Sequence, residues 1–169
     1  INAKGDGETG HLRDDRWLQG RVHELWQNGR PINETLAGTY LRNRAIDFAP
    51  ARLRFCDRTP LGKGVMVTFR PAMLAAVTDD AGLQAVQRTF LDARGRRTRD
   101  LRHPRQMLGR PGSGAVRLGA VKAVLGIAEG VETAISAMIL LGIPVWAALG
   151  NERFPHISVP RSVSRLILL

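Results

Sequence analysis

Cysteine is almost absent from this chain: Cys56 is the single one in 169 residues. A lone thiol closes no internal disulfide and leaves no thiolate set for a structural zinc, which fits a reducing cytoplasm. Long apolar runs are missing too; none approaches the ~20 residues of a membrane helix, so the chain is not expected to cross a bilayer. The opening residues show no basic-then-apolar leader, and the first residue is Ile1. A fragment or processed product is therefore expected. Aromatic residues are only 5% of the chain, with Tyr40 the one tyrosine. The four histidines, His11, His23, His103 and His156, show no metal-ligand spacing and read as surface or packing residues. Acidic residues are the minority, fifteen against twenty-five basic ones, for a formal net charge of +10.

What is present is an ordinary globular composition, 44% hydrophobic and 24% charged, long enough for one compact domain or two small lobes. The basic residues are almost all arginine. Two readings of that excess stand side by side: a polyanionic partner, since guanidinium groups bind phosphate in a fork, or a bias of genome composition. Distribution tilts the balance towards the first. From Arg88 to Arg117 the arginines are opposed only by Asp92 and Asp100, a one-sign block that marks a solvated face or a nucleic-acid track.

Residues 1–13 are polar and glycine-rich and predict a flexible tail. From Asp14, Trp17, Leu18, Val22, Leu25 and Trp26 recur at near-helical spacing, and both tryptophans read as core. After Pro31, Asn33 is placed to cap a second helix with Leu36, Ala37, Tyr40 and Leu41 as its apolar stripe. "LRFC" and "VMVTF" predict strands, and Cys56 within the first reads as a small buried thiol. "AMLAAVTDDAGLQAVQRTFLD" predicts two strands around a turn at Asp79-Asp80-Ala81-Gly82. A further turn at Ala93-Arg94-Gly95 leads into the arginine block. "LGRPGSGAVRLG" lacks the lysine and hydroxyl of a Walker loop, so a tight connection into the strand "GAVRL" is the stronger reading.

The last third changes rhythm. "AVLGIA" reads as a strand, "VETAISAMILL" as a helix closed by Gly142, "IPVWAAL" as a strand, and "RLILL" as the start of another. Continuous apolar strands separated by helices predict a parallel sheet covered on both faces. Ligands in such sheets collect beyond the carboxyl ends of the strands, where helix N-termini also point. Glu129 falls at that place. Position alone leaves two roles open to it, a functional carboxylate or a structural cap or ion pair, with Glu132 the better fit to an exposed helix-end role.

"IAEGVETAISA" followed by "GIPVWAALGNERFPHISVPRSVSRLILL" resembles the Toprim fold of bacterial-type primases, topoisomerases and related nucleases, and especially the primase-like Toprim proteins of plasmids, phages and integrated elements. Upstream, "LAGTYLRNRAI", "LRFC", "PAMLAAVTD", "QRTFLD" and "GAVRLG" occur in the order found before Toprim in that family, so the resemblance extends from about Trp17 onward. It implies an α/β chain: a primase-like N-terminal α+β lobe at 14–119 and an incomplete Toprim domain, a Rossmann-like parallel sheet, at 120–169. It also implies a DNA primase that makes RNA primers on single-stranded DNA by nucleotidyl transfer with Mg2+, with ribonucleotides as substrates and a replicative helicase as a partner.

By that resemblance Glu129 serves metal positioning or proton transfer, Gly130 allows close backbone approach, and Thr133 neighbours a phosphate. Arg88, Arg105, Arg110 and Arg117 would guide template or nucleotide phosphates. The family's Asp-x-Asp pair would follow "RLILL" and is not among the 169 residues, while Asp79-Asp80 lies too far upstream to replace it. Half of a magnesium site, and negligible activity of this chain alone, are the expectations. Two other readings are carried with it: a noncatalytic Toprim scaffold that holds single-stranded DNA or recruits a helicase, and a Toprim nuclease. A topoisomerase is disfavoured because Tyr40 lies in a predicted helix core.

Overall fold

The computed structural model describes residues 6–62 and 64–169. In chain order the elements are α1 (Asp6–Gln27), β1 (Arg30–Pro31), α2 (Leu36–Arg42), β2 (Leu53–Leu61), β3 (Thr68–Asp79), β4 (Gly82–Phe90), β5 (Arg105–Gly109), β6 (Val116–Arg117), β7 (Val124–Ala128), α3 (Val131–Leu141), β8 (Val145–Ala147) and β9 (Arg165–Leu168). The chain is mixed α/β. One sheet is antiparallel, in the order β1-β2-β3-β4-β5; the other is mixed, in the order β6-β8-β7-β9.

The first sheet follows from its turns. Asp79 pairs with Gly82 across a hairpin, and the Asp79 carboxylate accepts the Ala81 amide at 2.9 Å, which closes the expected turn. Side chains alternate across the sheet. Ala72, Leu74, Val86 and Phe90 face α1 and pack on Val22 and Leu25. Met73, Ala75, Val77 and Ala85 face the other way, into a core shared with α2, α3 and β8.

Several sequence expectations are corrected here. The helix expected from Asp14 begins at Asp6, so residues 6–13 of the expected tail belong to α1; residues 1–5 lie outside the described residues. Trp17 is 68% exposed, because the stripe that meets the sheet is Leu18, Val22 and Leu25 and Trp17 is rotated off it. Thr35, not Asn33, caps α2, its hydroxyl accepting the amides of Ala37 and Gly38. In "VMVTF" the first two residues belong to a short 3-10 turn, and β3 begins at Thr68. Cys56 is buried as expected.

The second sheet holds the parallel strands. β7 pairs in parallel with β8 on one side and β9 on the other, and β6 adds an antiparallel edge to β8. The lobe boundary drawn at Gly119 thus cuts β6 from the sheet it joins, and the core runs without a break from Tyr40 and Met73 to Val131 and Val145. α3 covers one face of β7 and β8. The segment from Asn151 to Val163 covers the other, over Leu125, Ile127 and Trp146. The expected two-sided cover stops there: Leu166 and Leu168 on β9, and Ile139, Leu140 and Leu141 at the end of α3, are exposed. Gly142 ends α3 in the left-handed conformation (φ 65°), donating its amide to the Met138 carbonyl.

Candidate functional site

β7 is buried from Leu125 to its end at Ala128, so the next residue emerges at the strand's carboxyl edge. That residue is Glu129. Its carbonyl accepts the Leu149 amide at 2.7 Å, and the Ala128 carbonyl accepts the Ala148 amide at 2.9 Å. These two bonds stitch the exits of β7 and β8 together. The Glu129 carboxylate is exposed and makes no ion pair among the described residues. Leu149 holds φ of 70°, a left-handed backbone unusual for leucine, and the Glu129 contact helps to keep it there.

Gly130 follows as the N-cap of α3 and offers no side chain to the helix's first amides. The first turn of α3 therefore presents donors and the positive end of its dipole to whatever lies in front. At Gly130 the backbone is in the ordinary extended region, and an added Cβ would meet only the Glu132 carboxylate, at 3.6 Å. Nothing in the chain's own packing demands glycine at this position. Its lack of a side chain leaves room on the cavity side.

In front of this turn lies a cavity of about 470 Å³, bordered by Glu129, Thr133, Arg44, Arg105 and Gln87. Beside it sits a buried polar cluster. Glu132 Oε1 accepts the Tyr40 hydroxyl from α2 and, at 2.5 Å, Nη2 of Arg105 from β5. Burial would raise the Glu132 carboxyl, but the Arg105 charge and the Tyr40 hydroxyl outweigh it and hold the group below the usual carboxylate range. Burial, with the Glu132 charge next in weight, pushes the Tyr40 phenol up. Burial works against the Arg105 charge, yet Glu132 and Tyr40 together leave it raised. Glu132 is thus no exposed helix-end residue: it ties three elements together at the rim of the cavity.

Of the residues singled out from the sequence, Glu129, Gly130, Thr133 and Arg105 meet at this one cavity. The other three arginines do not. Arg88 lies on the α1 face of β4, 9% exposed, donating to the carbonyls of Pro60 and Met107, and burial lowers its pKa. Arg110 pairs with Asp15 of α1 at 2.8 Å and borders a different depression. Arg117 pairs with Asp80 at 2.9 Å and lies over the Trp146 ring. The fold disperses the one-sign run: Arg88 lies in β4, Arg110 just past the end of β5 and Arg117 in β6 of the other sheet, so these three do not join Arg105 at the cavity.

Sequence reasoning missed Arg44, Gln87 and the Tyr40–Glu132–Arg105 cluster. Gln87 carried a signal: it shares a strand face with the buried Ala85, and a polar residue there marks where the core cover ends. The cluster carried none, since its members lie 27 and 92 residues apart.

Among the described residues no three His, Cys, Asp or Glu side chains gather where a metal ion could be held. With Glu132 committed to Arg105 and Tyr40, Glu129 is one carboxylate, and one does not fit magnesium's demand for several oxygen ligands. What these residues offer a ligand is cationic charge, backbone amides, a hydroxyl and one free carboxylate.

Residues 16–118 match the family model described as Domain of unknown function (DUF7146), well over half of the chain. The chain belongs to the DUF7146 family. The DUF7146 region carries Arg44, Gln87 and Arg105, one wall of the cavity, while Glu129, Gly130 and Thr133 on the opposite wall lie beyond it. No curated protein and no solved structure matches the chain.

Proposed function

We propose that this DUF7146 chain is the substrate-facing part of a Toprim-type, primase-like nucleotidyltransferase that works on single-stranded DNA with ribonucleotides. The observation that carries the reading is the place of Glu129: a free carboxylate at the carboxyl end of a parallel strand, followed by an uncapped helix N-terminus and faced by Arg105 across a polar cavity. Acid–base or charge-positioning chemistry on a phosphate needs that combination. The amides of the first turn of α3, the Thr133 hydroxyl and the Arg105 guanidinium hold phosphate oxygens. Glu129 stands free to accept a proton or to add negative charge beside them.

Magnesium belongs to this reading through the family resemblance alone, because the described residues do not complete its ligand set. The register of β9 supports the resemblance. Leu168 stands opposite Ile127, so β9 runs beside β7 towards Glu129, where the resemblance would put a second carboxylate. The noncatalytic scaffold is the second reading, favoured by that same single carboxylate.

The test is a primer-synthesis assay with labelled ribonucleotides, magnesium and single-stranded DNA. It compares this chain, a chain continuing through the segment after β9, and the longer chain carrying Glu129→Gln. Products from the longer unsubstituted chain alone support the primase. Binding without product, insensitive to Glu129→Gln, replaces it with the scaffold.

A further inference from the structure

A second recess, of about 710 Å³, adjoins the first and shares Arg44 with it. Its wall is the loop between β4 and β5, which carries Arg96, Arg97 and Arg99. The loop is built to hold its shape. The Asp92 carboxylate accepts the amides of Arg94 and Arg96, Leu91 bridges to Arg97, and the Thr98 amide donates to the Phe90 carbonyl. Asn43 of α2 donates its side-chain amide to the carbonyls of Arg94 and Gly95. Gly95 takes φ of 66° against Thr39, where a Cβ would stand 2.7 Å from the threonine methyl.

The charges on this scaffold are unequal in use. Arg96 is paired with Asp92. Arg44, Arg97 and Arg99 are exposed, with no acidic partner among the described residues, and Arg44 lies over the Tyr40 ring at 4.8 Å from its centroid. The braced loop fixes where these guanidiniums start from, and with no acidic partner among the described residues they are free to pair with phosphate.

We infer that Arg44, Arg97 and Arg99 form a phosphate track for one strand of nucleic acid, which passes from the 92–99 loop over Arg44 to the Glu129 cavity. Two linked recesses favour a polymer, since a mononucleotide would fill only one. Among the described residues no exposed aromatic borders the track, so recognition is of the backbone and tolerant of sequence. The inference rests on the proposed function for the kind of ligand, but not for any catalysis.

Binding of a fluorescein-labelled oligodeoxythymidine, followed by anisotropy from about 50 to 200 mM salt, tests it. Replacing both Arg97 and Arg99 by Ala should weaken binding at least about tenfold at low salt and flatten the log–log salt slope by about 1.4, at roughly 0.7 per lost single-strand contact. Arg44→Ala should act in the same direction. Arg110→Ala removes the same single charge as Arg44→Ala but elsewhere and should change little; a loss equal to that of Arg44→Ala would reduce the track to diffuse attraction and overturn the inference. Tighter binding of a duplex of equal length would overturn the single-strand path. A matching loss of ATP affinity in the double variant would make the recess a nucleotide site instead. A failed primer assay with a preserved loop-dependent salt slope removes the catalytic reading and leaves the track standing.

Discussion

The two sheets distribute their polar groups in opposite ways. In the antiparallel sheet every strand pairs with its neighbour in the chain, α1 covers one face and the shared core the other, and even a charged residue such as Arg88 is absorbed by backbone carbonyls. In the mixed sheet the strands are short, β9 is bare, and the carboxyl end of β7 opens on a free carboxylate and an uncapped helix. Burial on both faces makes the first sheet a platform. Incomplete cover leaves the second open at the carboxyl end of β7, and the cavity lies where the two meet.

The sharpest way to break this contrast is to hollow each sheet in turn. Phe90→Ala beneath α1 and Trp146→Ala in β8 each remove a buried aromatic ring and should cost about 3–5 kcal/mol. Because one core spans both sheets, urea denaturation followed by circular dichroism should stay a single transition in each variant; a split curve for Trp146→Ala would mean that the mixed sheet unfolds by itself.

Glu132→Ala comes next. It strands the Arg105 guanidinium and the Tyr40 hydroxyl, and should cost about 1–3 kcal/mol by the same measurement. The acid limb follows from the same carboxylate. Its pKa is lower folded than unfolded, so its stabilisation is present above the ordinary carboxylate value of about 4.3 and is lost as pH falls through the lower folded value. Stability measured from neutral pH downward should therefore decline less steeply in Glu132→Gln than in the parent. An unchanged acid limb would remove Glu132 from its place as the link between the sheets.

Gly142→Ala should cost about 1–2 kcal/mol, the strain of a left-handed alanine at the end of α3. Glu129→Gln should cost least, within about 0.5 kcal/mol in thermal unfolding, since the side chain is exposed and unpaired. A large destabilisation by Glu129→Gln would assign this carboxylate to the fold and not to a ligand.

Much of the mixed sheet could be read from local pattern. "VETAISAMILL" is the helix as it folds, and Gly142 ends it, because small and apolar residues followed by a left-handed glycine specify a helix without outside help. Glu129 could be placed at a strand end for the same reason. The partners that give it meaning could not. Arg44, Arg105 and Tyr40 reach the cavity through α2 and β5, brought there by the fold of the antiparallel sheet, and no periodicity within a short window encodes that meeting. Trp17 shows the converse error: near-helical spacing identified a helix but not which of two adjacent residues faced the sheet.

The strand order β8-β7-β9 has one more consequence. The chain leaves β7 to one side through α3, then recrosses beneath the sheet through the 151–163 segment to reach the opposite side of β7. Connections that part in opposite directions at one strand's end leave a topological switch point, a crevice set by the path of the backbone alone. Exchanging Glu129 or Thr133 would therefore change the groups that line the crevice without closing it, because the path of the backbone and not those side chains sets where it lies.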